Sequence, residues 1–529
     1  MSKPLLNNVD THGNVNLLVI NDEVKTPNSK YGKLLENLQG HILKDNGRDH
    51  SVHIFLKFKK ANSAKIKEMI QQLALATFSF PSTQHSFHYL SSAKEQLFIR
   101  KLIKEAPANA AYKASYSLNL YLSNKGYEAL GFSGNQLPSD RSFQHGLGAF
   151  LKRLQDQGKL TDITNEWDLT FSEIHAMIAI AHEQKIVVRD KTVVLDDAAL
   201  QKLIDAFQPY VLNIETGKVL YNSDDPDTNE PIEHFGFRDG LSNPVFFMED
   251  WEKKRMDDIN GKVDQFNPAA SLQLALAEDP NCKQSDHAFG SYLVFGKLEQ
   301  NVWAFEQDIE KLANMLQGTD LNERKDRARA LVMGRFRDGT PITLQGTEGG
   351  ISNTDGTIAS SPNNFLYSND QWGFEGSGRC PIHSHIRRAN PRGEVEKSLQ
   401  FEMKHRIVRR GIPYGDRRKE PKDNPSIDEL PKKGVGLLFM CFQRDIGDQF
   451  EHIIDTWCLY DDHPDAVMRR TTGSNNVPSN KWPTKWYKDP ERSKVVSVRC
   501  EFPKHVDLKG GEYFFAPSIK FLQTIANHK

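Results

Sequence analysis

The sequence contains little of what membrane, disulfide-linked or nucleic-acid-binding proteins require. Among 529 residues there are only five cysteines and no CxxC pair, which argues against a disulfide framework or a zinc site. No stretch reaches the roughly 18 uninterrupted apolar residues of a membrane helix. Lysine and arginine total 68 against 69 aspartates and glutamates, so there is no electrostatic case for a nucleic-acid partner. The composition predicts a globular protein with no membrane or nucleic-acid partner.

The length and the N-terminal residues give two further expectations. A chain of 529 residues exceeds what one hydrophobic core usually organises, so two domains are expected, and 38% hydrophobic residues suffices for ordinary cores. The first residues, MSKPLLNNVDTHGNVNLLVINDE, have neither an apolar signal core nor twin arginines. We therefore expect a cytoplasmic protein.

The first half of the chain alternates strand-like and helix-like patterns. Strands are predicted at HSVHIFLKF, YSLNLYLS, EIHAMIAIA and YVLNIETGKVLY. Helices are predicted where apolar residues recur at helical spacing, at Ile66, Met69, Ile70 and Leu73 and at Leu200, Leu203, Ile204 and Phe207. The order is β-α-β-β-α-β, which is typical of the ferredoxin-like fold.

The second half repeats this order. Strands are predicted at GSYLVF, GVGLLFMCFQ and GEYFFAPS, with a further strand at 383–390 or 400–409, and helices at 302–316 and 446–457. The sequence therefore predicts an α+β protein of two ferredoxin-like domains. The predicted divisions are a polar tail at 1–30, an N-terminal domain at 31–250, an insertion or linker at 251–286 and a C-terminal domain at 287–529. Charged, Pro-rich and Asn-rich runs at 416–433 and 462–494 are predicted to be surface loops.

The run FGFRDGLSNP is the first candidate site. Gly236 and Gly240 bracket Asp239, which favours a tight turn that projects a carboxylate from a fixed backbone. An Asp before Gly is more often a structural turn residue. The letters FRDG recur around Asp338, which is therefore a rival.

The run CPIHSHIRRANPR is the second candidate site. It brings Cys380, His383 and His385 close together, and imidazole and thiolate both bind iron. A histidine that only packs or caps is the ordinary alternative. The following arginines favour a neighbouring anion or form a solvated basic surface.

The run HRIVRRGIPYG is the third candidate site. The two-residue period of a strand places Ile407 and Arg409 on one face and Val408 and Arg410 on the other. One arginine should therefore point inward, where a buried guanidinium needs an anionic partner. A structural salt bridge is the ordinary alternative.

Together and in order, seven segments resemble the dye-decolourising peroxidases from about residue 38 onward. They are LQGHILKDNGRDHSVHIFLKF, FGFRDGLSNP, GSYLVFGKLEQNVWAFEQ, CPIHSHIRRANPR, IVRRGIPYG, GLLFMCFQRDIGDQFE and GGEYFFAPSI. The resemblance implies two ferredoxin-like domains with one haem b per chain bound between sheet and helices. Because CxxCH is absent, the haem would be non-covalent.

The resemblance also implies the site residues. Asp239 corresponds to the family's catalytic acid, His385 to its axial iron ligand and Arg409 to its distal arginine. By this correspondence Asp338, His383 and Arg410 rank below them as candidate site residues. Leu437 and Phe439 match apolar residues that line the haem pocket.

The implied reaction is reduction of hydrogen peroxide through a ferryl intermediate, with one-electron oxidation of bulky aromatic donors such as dyes and phenols. The alternative functions are a haem-binding or iron-handling protein with incidental peroxidase activity, a non-haem metal enzyme that uses His383 and His385, and a thiolate haem protein that uses Cys380.

Overall fold

A ten-stranded antiparallel sheet forms the centre of the described part of the protein. The computed structural model describes residues 4–10, 14–25, 29–80, 83, 85–107, 109–160, 173–225, 229–367, 379–393, 398–423, 425–459, 481–483 and 497–528. The strands of the main sheet are β1 (His50–Leu56), β2 (Ser117–Leu122), β3 (Ala176–His182), β4 (Val211–Lys218), β5 (Ala277–Glu278), β6 (Phe289–Gln300), β7 (Val408–Arg409), β8 (Ile412–Tyr414), β9 (Gly436–Gln443) and β10 (Val506–Ala516).

The sheet consists of two halves with the same strand order. Across the sheet, the first half has the order β4-β1-β3-β2 and the second half has the order β10-β6-β9-β7. Two short strands lie off this path: β8 pairs with β9, next to β7, and β5 pairs with β6. When the strands of each half are numbered along the chain, their order across the sheet is fourth, first, third, second. In the second half β7 and β8 together count as the second strand, and the short β5 is not counted. The halves meet where β10 pairs with β2, at Phe515 and Leu122. The predicted α+β fold with a duplicated ferredoxin-like order is confirmed.

Short ribbons and helices surround the main sheet. The two-stranded ribbons join Thr77–Ser79 to Ser86–His88, Val187–Arg189 to Thr192–Val194, Leu220–Tyr221 to Pro231–Ile232, Ile351–Ser352 to Ile358–Ala359 and Lys481–Pro483 to Ser497–Arg499. The helices are α1 (Ile20–Lys25), α2 (Gly32–Asn37), α3 (Ser63–Leu75), α4 (Ala93–Glu105), α5 (Ala110–Lys113), α6 (Asn124–Ala129), α7 (Arg141–His145), α8 (Leu147–Asp156), α9 (Ala198–Asp205), α10 (Met248–Met256), α11 (Val302–Met315), α12 (Leu321–Met333), α13 (His385–Ala389), α14 (Leu399–Lys404) and α15 (Ile519–Thr524).

Strand β1 shows that the sheet is covered on both faces. Every residue of β1 after His50 is buried. Val52 and Ile54 pack into a core that α3, α9 and α15 share, while Phe55 packs into a second core on the opposite face. Burial on both faces explains why Ile54, Phe55 and Leu56 are apolar in succession, without a polar residue on alternate positions.

Three predictions differ from the structure in detail. The further strand of the second half is β7 with β8, whereas residues 385–389 form α13. The predicted helix at 446–457 is a π-helical segment, Gly447–Glu451 and Ile453–Cys458, because its main-chain N–H groups reach back five residues, as from Leu459 to Ile454 at 2.9 Å. The predicted insertion at 251–286 contains most of α10.

Other predictions are not tested by the described residues. Most of the predicted loop at 462–494 lies outside them, since they include only 481–483 of that range. The proposed domain boundaries stay predictions.

Asp140 connects α7 to the π-helical segment and should make stability depend on pH. Its carboxylate accepts hydrogen bonds from the N–H groups of Phe143 at 2.7 Å and Ile446 at 2.8 Å, and burial raises its pKa from 3.8 to about 6. Because the folded form holds this proton more tightly than the unfolded form, the stabilisation is complete below about pH 4 and is lost as the pH rises through about 6.

We expect Asp140→Asn to gain stability relative to the wild type, on the order of 2 kcal/mol, between about pH 4 and about pH 7. The amide cannot ionise and therefore does not lose this stabilisation. Urea unfolding of both proteins at the two pH values measures the difference. A difference that is independent of pH would contradict the assignment.

Candidate active site

The loop that carries Asp239 is built by a buried network of its own. Glu233 accepts hydrogen bonds from the N–H groups of Phe235 at 2.9 Å and Phe237 at 3.0 Å. Gly236 and Gly240 have φ values of 93° and 76°, which a residue with a side chain rarely adopts. The predicted tight turn around Asp239 is therefore present.

Asp239 and Arg409 form an ion pair. Nη1 of Arg409 lies 3.2 Å from Oδ1 of Asp239, and their side chains are 37% and 33% exposed. Oδ1 also accepts the N–H of Gly240 at 2.6 Å, while Oδ2 has no hydrogen bond to any described residue. The pair thus offers an acceptor atom and a cation side by side at a solvent-accessible position.

Two consecutive residues of the same loop join it to the other two candidate segments. The hydroxyl of Ser242 donates to Asn363 at 2.8 Å and accepts from Nη2 of Arg392 at 3.3 Å. The side chain of Asn243 binds the main chain of Arg409. The three candidate segments therefore form one connected unit.

His385 is the first residue of α13 and is part-exposed. Ser384 before it is buried, and its hydroxyl donates to the carbonyl oxygen of Leu331, which anchors the start of α13 to α12. His383 is instead buried, with its ring edge-on to Trp482 at a centroid distance of 4.4 Å. The two neighbouring histidines thus have different surroundings.

Asp338, the rival to Asp239, is occupied within its own loop. Its carboxylate accepts from the N–H and the hydroxyl of Thr340, both at 2.9 Å, and from the N–H of Gly349 at 2.6 Å. These bonds give it the structural role expected of an Asp before Gly.

The other arginines bind carbonyl oxygens, contrary to the expectation that a buried guanidinium requires an anion. Arg410 donates to the carbonyl oxygens of His41 at 2.8 Å and Ile42 at 3.1 Å, and buried Arg406 donates to those of Met403 and Ala269 at 3.1 Å. Carbonyl dipoles can satisfy several guanidinium N–H groups at once. Burial lowers the pKa of Arg410 and of Arg406 to about 10.

Arg392 has similar surroundings. It donates to the carbonyl oxygens of Asn363 at 2.6 Å and Phe365 at 2.9 Å, and its guanidinium lies 3.9 Å and 4.0 Å from the ring centres of Phe266 and Phe365. Burial lowers its pKa to about 10.

Leu437 and Phe439 lie on the same face of the sheet as Arg409, because Arg409 pairs with Cys441, two residues further along β9. Both side chains are part-exposed, whereas Leu438 and Met440 on the other face are 0% and 2% exposed. Part-exposed apolar side chains on an interior strand mark an open apolar surface beside the ion pair.

Sequence reasoning missed Glu233, Ser242 and Asn243. All three lie within or beside FGFRDGLSNP. The sequence signal that could have found them is a polar residue close to Asp239, the acid that lies between Gly236 and Gly240. Only the fold shows that Asn243 reaches Arg409, which lies 166 residues away.

Comparison with known proteins identifies the family. The family model described as "Dyp-type peroxidase, C-terminal" matches residues 230–475. The multifunctional dye peroxidase DyP2 of Amycolatopsis sp. is 31% identical over 517 residues, which cover 95% of this chain and 98% of that protein. The chain belongs to the dye-decolourising peroxidase family.

Solved structures of dye-decolourising peroxidases have the same fold. The crystal structure of the DyP-type peroxidase of Anabaena sp. covers 99% of this chain and 100% of its own, with 32% identity and a TM-score of 0.76. The structure of the Amycolatopsis protein covers 96% and 99%, with 30% identity and a TM-score of 0.76.

Membership makes this protein a peroxidase of a haem-dependent family, with hydrogen peroxide and a reducing substrate as its reactants. The family names favour this function over incidental activity of an iron-handling protein. Within the described residues, no group of three or more His, Cys, Asp or Glu is placed to hold a metal ion. No helix in the same residues is long and apolar enough to cross a membrane.

The different roles of Asp239 and Asp338 can be tested by comparing how much each contributes to the free energy of unfolding. Asp338→Ala should lower the free energy of unfolding by about 1–3 kcal/mol, because it leaves the N–H of the buried Thr340 without its acceptor. Asp239→Ala is the matched control and should cost less, because the carboxylate of Asp239 accepts one main-chain N–H, that of Gly240, and one contact from the part-exposed Arg409. Urea unfolding measures both, and an equal or larger cost for Asp239→Ala would contradict the distinction.

Proposed function

We propose that Asp239 and Arg409 act together on hydrogen peroxide at a non-covalent haem b, one per chain, whose iron His385 would hold. The observation that carries the proposal is the Asp239–Arg409 ion pair beside the open apolar surface of Leu437 and Phe439. A base, a cation and an apolar surface are what peroxide cleavage at a haem requires.

The residues present fit a haem. Leu437 and Phe439 offer apolar contact for a porphyrin, and the side chain of the part-exposed His385 is an imidazole, which is a ligand of haem iron. Among the described residues, Nε of the buried Arg392 has no hydrogen-bond partner, so a haem carboxylate could accept from it. A bound haem would supply the redox chemistry, because it gives up the two electrons that reduce peroxide to water.

Asp239 would move the proton of the substrate. Its free Oδ2 takes a proton from one oxygen of hydrogen peroxide and returns it to the oxygen that leaves as water. The guanidinium of Arg409 stabilises the negative charge on the leaving oxygen. Two one-electron oxidations of donor molecules complete the cycle.

Small aromatic compounds are the proposed donors. The Amycolatopsis relative is named a multifunctional dye peroxidase, and three relatives from other organisms are named dye-decolorizing peroxidases. We therefore propose that dyes and phenols are oxidised by this protein.

Asp239→Asn and Arg409→Leu should each slow the reaction with peroxide by about 10²–10³-fold, since they remove the base and the charge that stabilises the leaving oxygen. Stopped-flow absorbance at the Soret band of the haem-loaded protein measures the rate constant. Asp338→Asn is the matched control, because Asp338 is bound within its own loop and lies outside the proposed pair, and it should react within a few-fold of the wild type. Near-normal rates in both site variants would refute the proposed roles.

His385→Ala should change the resting haem spectrum and weaken haem retention, because the imidazole that would hold the iron is lost. Added imidazole should restore the spectrum. His383→Ala should keep the spectrum and lower only the unfolding midpoint, since His383 packs against Trp482. The opposite pattern would assign the iron to His383.

A further inference from the structure

Arg409 lies at the outer edge of the sheet, where its main chain faces no further strand of the described residues. Because β7 is the terminal strand and Arg409 pairs with Cys441, its N–H and C=O point away from β9, while the next N–H, of Arg410, donates to Met440 at 2.7 Å. Main-chain groups at a sheet edge need another partner.

The side chain of Asn243 supplies that partner. Its Oδ1 accepts the N–H of Arg409 at 3.1 Å and its Nδ2 donates to the C=O of Arg409 at 3.1 Å. One amide thus binds both main-chain groups of one residue, as a neighbouring strand would. The N–H of Asn243 also donates to Gly240 at 3.3 Å, which closes the turn that follows Asp239.

This arrangement matters because the ion pair itself is a weak constraint. A single contact of 3.2 Å joins two side chains that are each about one-third exposed, and exposed pairs typically contribute no more than about 1 kcal/mol. The guanidinium of Arg409 is therefore placed mainly by its main chain. Asn243, four residues after Asp239, fixes that main chain relative to the loop that carries the carboxylate.

We propose that Asn243 is a positioning residue for the reaction with peroxide, which acts by holding Arg409 in register with Asp239. This inference rests on the proposed function, because it assigns to Asn243 the placement of a proposed catalytic pair.

The remaining contacts indicate how much the loss of Asn243 would change. The C=O of Arg409 also accepts Nη1 of Arg410 at 2.9 Å, whereas its N–H has no other acceptor among the described residues. Lys254 still holds the loop through the C=O of Leu241 at 2.8 Å. Removal of the amide should therefore loosen β7 without unfolding it.

Asn243→Ala should lower the rate constant for peroxide by at least about tenfold, since a displacement of about 1 Å can cost about a hundredfold. The rate constant for guaiacol oxidation by the peroxide-treated haem-loaded enzyme should stay within twofold. Asn243→Leu, which fills the volume but forms neither bond, should behave in the same way. Amide hydrogen exchange at Arg409 should become faster in both variants.

Asn8→Ala is the matched control. Asn8 is buried and binds main chain through the same two atoms, since Oδ1 accepts the N–H of Leu272 at 2.9 Å and Nδ2 donates to Asn16 at 2.8 Å. It should lower the unfolding midpoint and leave the peroxide rate unchanged. An equal fall in that rate would show a general effect of stability and overturn the proposal.

A double-mutant cycle separates this inference from the proposed function. In the Arg409→Leu background, Asn243→Ala should lower the peroxide rate by less than about twofold, although exchange at residue 409 still becomes faster. Losses that multiply, or a normal peroxide rate in Asn243→Ala, would overturn the role of Asn243. A normal rate in Arg409→Leu alone would instead refute the proposed role of Arg409.

Discussion

A main-chain N–H and C=O at the edge of a sheet must find partners outside it, and at Arg409 both find them in Asn243. This contact determines where the loop of Asp239 meets β7, and therefore where the carboxylate and the guanidinium face each other. Ser242, the preceding residue, connects the same loop to Arg392 and thus to the segment that contains His385. Two neighbouring polar side chains hold together residues that are far apart in the chain.

The sheet provides a rigid base for this unit because it is buried on both faces. Helices α3, α9 and α15 cover one face of the first half, and a separate core fills the other. In the second half, the face that carries Arg409 departs from this rule at Leu437 and Phe439, which stay part-exposed. Leu437 and Phe439 thus leave part-exposed apolar surface next to the ion pair, where a flat apolar cofactor would be buried.

Charge is distributed in a way that singles out Arg409. Arg392, Arg406 and Arg410 each donate to carbonyl oxygens, and Arg392 also lies against aromatic rings. These guanidiniums join segments of the fold. Arg409 has its main chain held by Asn243, while its guanidinium faces a carboxylate at a solvent-accessible position. The division agrees with a structural role for the first three and with the proposed catalytic role for the last.

The sequence alone predicted the duplicated strand and helix order, since buried strands and amphipathic helices leave local patterns in apolar residues. It also indicated the family through seven ordered segments, and it named Asp239, His385 and Arg409 as candidates. It could not separate the two FRDG acids by composition, because the hydrogen bonds that occupy Asp338 come from Thr340 and Gly349 after folding. It placed one strand at 383–390 or 400–409, whereas sheet pairing placed it at β7 and β8. Contacts such as that between Asn243 and Arg409 join residues far apart in the chain, so only the tertiary structure decided them.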